Sequence, residues 1–175
     1  PTNEVCGWYD GTVYDPTFMM YDGVNNCIYN MPASNYPPAS AITGGHTGQA
    51  WMGIGQSAFS SVHALVNTMQ YTLAPGTHTL TFWAGVLPQI QPFFGGYANT
   101  GPTALTLYGY APGEAVVFSD FGTVTGSNLG STPVITNYIT SYNQTWVQYS
   151  MTFTNTKPMS RLSLMHYNNA YVYID

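Results

Sequence analysis

Residues Tyr71 to Val86 read YTLAPGTHTLTFWAGV, and the reading of this stretch decides the fold. Two arms with strand-like alternation flank Ala74-Pro75-Gly76. Proline fixes φ and glycine admits positive φ, so the triplet reverses the chain for a stated reason. Beyond it, His78, Leu80, Phe82 and Ala84 fall on one face of an extended strand, and Thr77, Thr79, Thr81 and Trp83 on the other. The first set makes a core face. The second, three threonines and one large aromatic, is how the wet face of an antiparallel sheet reads. The arms Val62–Leu73 and Thr77–Val86 are expected to pair as a hairpin.

Working outward, the rest of the chain from Val62 is mostly strands. Thr103–Tyr110 alternates, with Leu105 and Leu107 inward and Thr106, Tyr108 and Tyr110 outward. Further strands are expected over Ala115–Phe118, Val134–Ser141, Gln144–Thr154, Arg161–Tyr167 and Tyr171–Asp175. Leu87–Pro102 and Gly122–Pro133 read as loops. The one candidate helix, Ser57–Gln70, is rich in Ser, Val and Asn and lacks a charged face, so strands are preferred there. Regularly spaced strands with Gly/Pro turns predict a sandwich. No internal repeat is present.

The first 49 residues read differently. Asp10-Gly11, Asp15-Pro16, Asp22-Gly23 and Asn25-Asn26 are turn signals, with Trp8, Tyr9, Tyr14, Phe18 and Tyr21 between them. Met31-Pro32 and Pro37-Pro38 bar a central strand, and Gly44-Gly45-His46-Thr47-Gly48 is a loop. The expectation is a loop-rich N-terminal part packed on one β-sandwich domain covering residues 1–175, with one short strand near Ala50–Ile54.

Composition narrows the function. The chain has 175 residues, enough for one domain that buries about 70% of its unfolded surface. Only 2 Lys+Arg face 7 Asp+Glu, a formal charge of −5, and charged residues make up 5% of the chain. Apolar content of 45% excludes a disordered chain. Two cations cannot neutralise a run of phosphates, which speaks against nucleic acid, and they make no polybasic membrane patch. No apolar run is long enough to insert in a membrane as a helix. A surface built of Thr, Ser, Asn, Gln and Tyr fits an extracellular, cell-surface or virion-associated protein. No secretory leader stands within these residues, and Pro1 fits a mature secreted terminus or one exposed by removal of an initiator Met. Cys6 and Cys27 either form a disulfide, which would close a loop of about 20 residues and contribute roughly 3 kcal/mol, or remain two free buried thiols.

Three pieces, in order, resemble a known group. LAPGTHTLTFWAG, from Leu73, is similar to the Pro-Gly-Thr-Tyr-Thr-Leu-Ser-Phe-Trp strand of jelly-roll carbohydrate-binding modules. Thr145-Trp146-Val147-Gln148-Tyr149 through Thr154 is similar to their Trp-x-x-Tyr-x-x-x-Phe-Thr strand, and Tyr171–Asp175 to their closing strand. The chain from about residue 48 onward therefore resembles the galactose-binding-like β-sandwich superfamily. The resemblance implies a two-sheet antiparallel jelly roll that binds sugars on a sheet face or at loop tips. It also implies a structural calcium on an acidic residue near the N-terminus and the closing Asp, here Glu4 and Asp175. The chain departs from the pattern at Glu4, where the usual Phe-Glu pair is missing.

Sugar sites need flat aromatic faces with amides and hydroxyls beside them. Trp83, Tyr108 and Tyr110 are placed on the non-core side of adjacent strands, Trp146 and Gln148 share an outward face with Thr152, and Phe93, Phe94 and Tyr97 sit in a glycine-flanked loop. The competing reading is that a long segment, such as the aromatic N-terminus, simply covers those aromatics. His78 and His166 fall on core faces and are expected to be hydrogen-bonded there, while His46 is a contact candidate. The Thr-x-Thr strings at Thr77, Thr79, Thr81 and at Thr152, Thr154 also fit an ice-binding face, though exposed strands are commonly threonine-rich. An enzyme is hard to assemble: glycoside hydrolysis needs two placed carboxylates, and Glu114 and Asp120 are the one inner pair. Asn143-Gln144-Thr145 is a lone glycosylation sequon. Two functions follow as expectations: a non-catalytic carbohydrate-binding or adhesive module, or a self-assembling structural subunit that associates through sheet edges.

Overall fold

In the computed structural model the two arms of Tyr71–Val86 do not pair with each other; they lie in different sheets. The structure describes residues 8–10, 18–21, 46, 51–54, 63–86, 102–117, 124–138, 146–166 and 172–175. These form strands β1 Trp8–Asp10, β2 Phe18–Tyr21, β3 Trp51–Ile54, β4 His63–Leu73, β5 Gly76–Val86, β6 Thr106–Tyr110, β7 Ser127–Ser131, β8 Val147–Asn155, β9 Met159–His166 and β10 Val172–Ile174. Sheet one runs β1-β4-β9-β6-β7 and sheet two β2-β3-β10-β5-β8. The strands pair antiparallel throughout, and no helix occurs among the described residues. The expected all-β, two-sheet antiparallel jelly-roll sandwich is what the chain adopts; apart from the neighbouring pairs β2–β3 and β6–β7, successive strands cross between the sheets.

The expected hairpin is corrected to an inter-sheet corner. A Pro-Gly reversal dictates that the chain turns, not which layer the second arm enters. An apolar strand needs a facing layer as well as side neighbours, and sending β5 across supplies one. The corner is pinned through the carbonyl of Ala74. It accepts from Asn155 Nδ2 at 3.0 Å and lies 2.9 Å from His78 Nε2. Asn155 is buried and also donates to the carbonyl of Lys157 at 2.7 Å. His78 is half-buried beside Phe153, with ring centroids 5.7 Å apart. The side chain of His166 lies outside the described residues.

Four other expectations change. The N-terminal 49 residues are not wholly irregular, because β1 pairs with β4 and β2 with β3, giving each sheet one edge strand. Short aromatic runs between turns are long enough for an edge. Residues 127–131, expected in a loop, form β7. Its sequence SNLGS is polar because the strand is an edge with only Leu129 turned toward the core. Val134–Ser141 is not a strand where described: residues 134–138 make only isolated bridges, Thr103 to Ile135 and Val86 to Tyr138. Residues 115–117 form no strand either, although the Val117 amide and carbonyl both bond to Thr125.

The main core lies between the sheets. Phe82, Ala84 and Val86 of β5, Met151 and Phe153 of β8, and Val172 and Ile174 of β10 meet Leu107 of β6 and Leu164 of β9, with Leu105 and Ile135 beside them. Each buried Val, Leu or Phe contributes about 1.5–3 kcal/mol over leaving it exposed. A second cluster lies on the outer face of sheet one. There Val66, Tyr110 and Met165 are covered by Val116 and Val124 from the segment following β6. Among the described residues no helix is long and apolar enough to cross a membrane.

Candidate functional site

The outer face of sheet two is assembled by the register of β5 on β8. Nine consecutive pairs run unbroken from Gly76 opposite Asn155 to Ala84 opposite Val147. Because side chains alternate, the odd residues of β5 and the even residues of β8 share the face turned from the core. Thr77 therefore stands opposite Thr154, Thr79 opposite Thr152, Thr81 opposite Ser150, and Trp83 opposite Gln148. The first two rungs are closed by hydroxyl–hydroxyl contacts of 3.1 and 3.4 Å. All these side chains are exposed except Trp83, which is half-buried. Successive rungs lie about 6.8 Å apart and the strands about 4.8 Å apart, so four rungs span roughly 20 Å.

Trp83 is held from two sides. Its backbone amide and carbonyl exchange bonds of 2.9 and 2.8 Å with Asp175, which extends β10 alongside β5. Its indole stacks on the ring of His46, with centroids 3.5 Å apart and planes 9° from parallel. His46 is exposed, and follows Gly44-Gly45 in the sequence. The eight face residues carry no charge. Asp175 flanks the Trp83 end, and Lys157 lies in the turn beyond Asn155 at the other end. The guanidinium of Arg161 is occupied over sheet one, where it donates to the carbonyl of Glu114.

The sequence-predicted residues separate on this frame. Trp83 and Gln148 come together, directly opposite each other. Tyr108 and Tyr110 do not join them, because β6 belongs to sheet one. They do point away from the main core as expected, but the segment after β6 packs over Tyr110 and leaves Tyr108 half-exposed beside it. Tyr110 is 0% exposed, its hydroxyl 3.1 Å from Ser163 Oγ, and Tyr108 packs half-buried against the same cluster. Tyr110 is therefore a packing residue. Trp146 shares parity with Gln148 but precedes β8 and is buried. Its indole N–H meets no hydrogen-bond acceptor among the described residues. Phe93, Phe94, Tyr97, Glu4, Cys6, Cys27, Asp120 and the Asn143 sequon lie outside the described residues. Sequence reasoning missed that the two Thr-x-Thr strings form one face. The strings were visible, but the register that joins them is not written in either.

No protein-family model matches the chain, and no curated protein matches it. Solved structures do. The chain is similar to the CBM22-1 xylan-binding domain of Paenibacillus barcinonensis Xyn10C at 8% identity and TM-score 0.49, covering 98% of this chain and 86% of that one. It is similar to the carbohydrate-binding module CsCBM6-3 of Clostridium stercorarium, solved with cellobiose, at 13% identity and TM-score 0.44, covering 93% and 80%. It is also similar to the enzymatically active domain of tailspike protein 4 of bacteriophage CBA120, at 12% identity and TM-score 0.48. The match covers 98% of this chain but only 19% of that tailspike chain.

Proposed function

We propose that the chain is a non-catalytic carbohydrate-binding domain, acting outside the cell or displayed on a surface, and that it holds its ligand on the outer face of sheet two. The supporting observation is Trp83, a half-buried aromatic on an uncharged sheet face, one side of its indole stacked on His46 from the N-terminal part, with the Gln148 amide opposite and hydroxyl rungs leading away from it. A sugar ring offers apolar C–H faces to an aromatic plane and a rim of hydroxyls to neutral donors and acceptors, which is the chemistry this face presents. Binding without catalysis agrees with the placement of the described acids. Glu114 accepts the Ala111 amide at 2.8 Å on the far side of the sandwich, whereas hydrolysis needs two carboxylates about 5–10 Å apart across one bond.

A structural calcium on Glu4 and Asp175 belongs to the same proposal. Calcium takes six to eight oxygens, so beside these two carboxylates backbone carbonyls would complete the shell. Affinity electrophoresis through gels cast with soluble polysaccharides tests the binding reading. At least one polymer should retard the wild-type chain, and Trp83→Ala should abolish the retardation. Failure of every polymer to retard the wild type overturns it.

A second reading rests on its own observation. β8 ends sheet two, and its nine residues VQYSMTFTN carry no charge, no proline and no bulge. Natural edges usually carry one of these guards against strand addition. A self-assembling subunit of a virion, filament or surface layer would use such an edge. Light scattering across a concentration series separates the two: ordered polymers favour assembly, and a monodisperse monomer at high concentration rules it out.

A further inference from the structure

The hydroxyl rungs carry more than the presence of a sugar site. In the Thr77–Thr154 and Thr79–Thr152 rungs one proton is shared between two oxygens. Each rung then presents one remaining O–H donor together with free lone pairs. The stiff χ1 of a β-branched side chain restricts these groups before any ligand arrives, and the closer Thr77–Thr154 contact restricts its rung further, so less ordering entropy is lost on binding. The pattern repeats along one line: Thr77 with Thr154, Thr79 with Thr152, Thr81 with Ser150, then Trp83 with Gln148. A repeated, pre-set row of neutral donors and acceptors matches a ligand that repeats along its own length, whereas a single sugar would engage one rung and leave the others hydrated.

Charge narrows the ligand further. No face residue is ionised at neutral pH, Asp175 flanks the Trp83 end, Lys157 is the one cation near the other end, and the whole chain is −5. An acidic polymer would bring a carboxylate onto each rung with nothing there to pair it, and a desolvated unpaired charge is costly.

We infer that the ligand is a neutral linear polysaccharide lying lengthwise along β5 and β8, and that Thr77, Thr79, Thr81, Ser150, Thr152 and Thr154 bind it along its chain rather than at its end. This rests on the carbohydrate reading above and adds to it the polymer's charge, its direction and the residues that read it.

The test uses the whole chain in affinity gels with hydroxyethylcellulose, arabinoxylan and glucomannan as neutral polymers and polygalacturonate and alginate as acidic ones. Glucose, xylose and mannose serve as monomer competitors. The variant is Thr79→Val with Thr152→Val, which keeps shape and strand propensity while removing one rung's hydroxyls; its thermal melt checks folding. The expected result is retardation by a neutral polymer, no retardation by the acidic ones, no competition by monomers at equal sugar concentration, and about tenfold weaker binding in the double variant. Undiminished binding in that variant, full competition by a monomer, or equal retardation by polygalacturonate or alginate overturns the inference and leaves the carbohydrate reading standing. If none of the five polymers retards the wild type, both fall.

Discussion

Alanine at Gly126 should cost this fold far more than alanine at Gly113, and one buried ring sets the difference. Both glycines have positive φ, +94° and +80°, where a residue with a Cβ costs about 1–2 kcal/mol. At Gly113 the added methyl meets nothing within 4 Å, so that backbone term is the whole effect. At Gly126 the methyl would stand 2.6 Å from Tyr110 Cε1, 2.8 Å from Cδ1 and 3.0 Å from the Gly109 carbonyl. Tyr110 is 0% exposed and its hydroxyl contacts Ser163 Oγ, so the ring has no room to swing aside. Overpacking of this kind adds about 1–3 kcal/mol. Gly126→Ala should therefore destabilise by about 2–5 kcal/mol and Gly113→Ala by about 1–2. Urea unfolding of both variants at one temperature reads the difference directly, and in a thermal melt each kcal/mol appears as about 2–4 °C. Equal cost at the two positions refutes the reasoning. It would mean that the segment after β6 does not rest on Tyr110. The outer face of sheet one would then be open, and Tyr108 and Tyr110 would return as stacking platforms for a ligand.

Three further outcomes are expected. Asn155→Ala removes the buried amide that ties the carbonyls of Ala74 and Lys157, and should lower stability by about 1–3 kcal/mol in denaturant titration, more than Thr156→Ala next to it. His46→Ala uncovers one face of the Trp83 indole, so acrylamide quenching of tryptophan fluorescence should increase, with no such increase in a Trp83→Phe background. If Glu4 and Asp175 hold calcium, adding millimolar calcium to chelator-treated protein should raise its melting temperature, and Asp175→Asn should remove that rise while keeping the main-chain pairing with Trp83.

The two faces of β5 were legible because strict alternation over His78–Ala84 can mean little else. The burial along Gly76–Val86 follows it, with Phe82 and Ala84 in the core and Thr77, Thr79 and Thr81 in water. Alternation says which way a side chain points but not what lies above it. Tyr110 points outward as read, yet Val116 and Val124 close over it, and no local pattern announces that a segment will fold back. Parity also ends where a strand ends. Counting in twos puts Trp146 beside Gln148, but β8 begins at Val147, and Trp146 is buried where Gln148 is exposed. Pairing partners are less legible still. Thr77 and Thr154 are 77 residues apart, and the choice between a hairpin and an inter-sheet corner at Pro75–Gly76 is made by which layer needs covering, a property of the assembled sandwich.

The two outer faces of the sandwich then differ for a physical reason that bears on function. Sheet one turns out Val66, Tyr108, Tyr110 and Met165, side chains that lose free energy in water, and the fold covers them with its own chain. Sheet two turns out threonines, a serine and a glutamine along β5 and β8, groups that water satisfies and whose burial is costly unless every hydrogen bond is replaced. An apolar cover would not stabilise the rungs, whose hydroxyl and amide side chains are exposed; towards β10 the same face is closed, with Tyr173 buried and Trp83 half-buried under His46. A partner that displaces the water favourably has to supply its own dense set of hydroxyls, with some apolar surface for Trp83. Among polymers met outside a cell, neutral polysaccharides combine those two properties. Polypeptide strands can reach the edge of β8 instead but offer the face itself few hydroxyls, so carbohydrate is the reading favoured for the face and self-assembly the one for the edge.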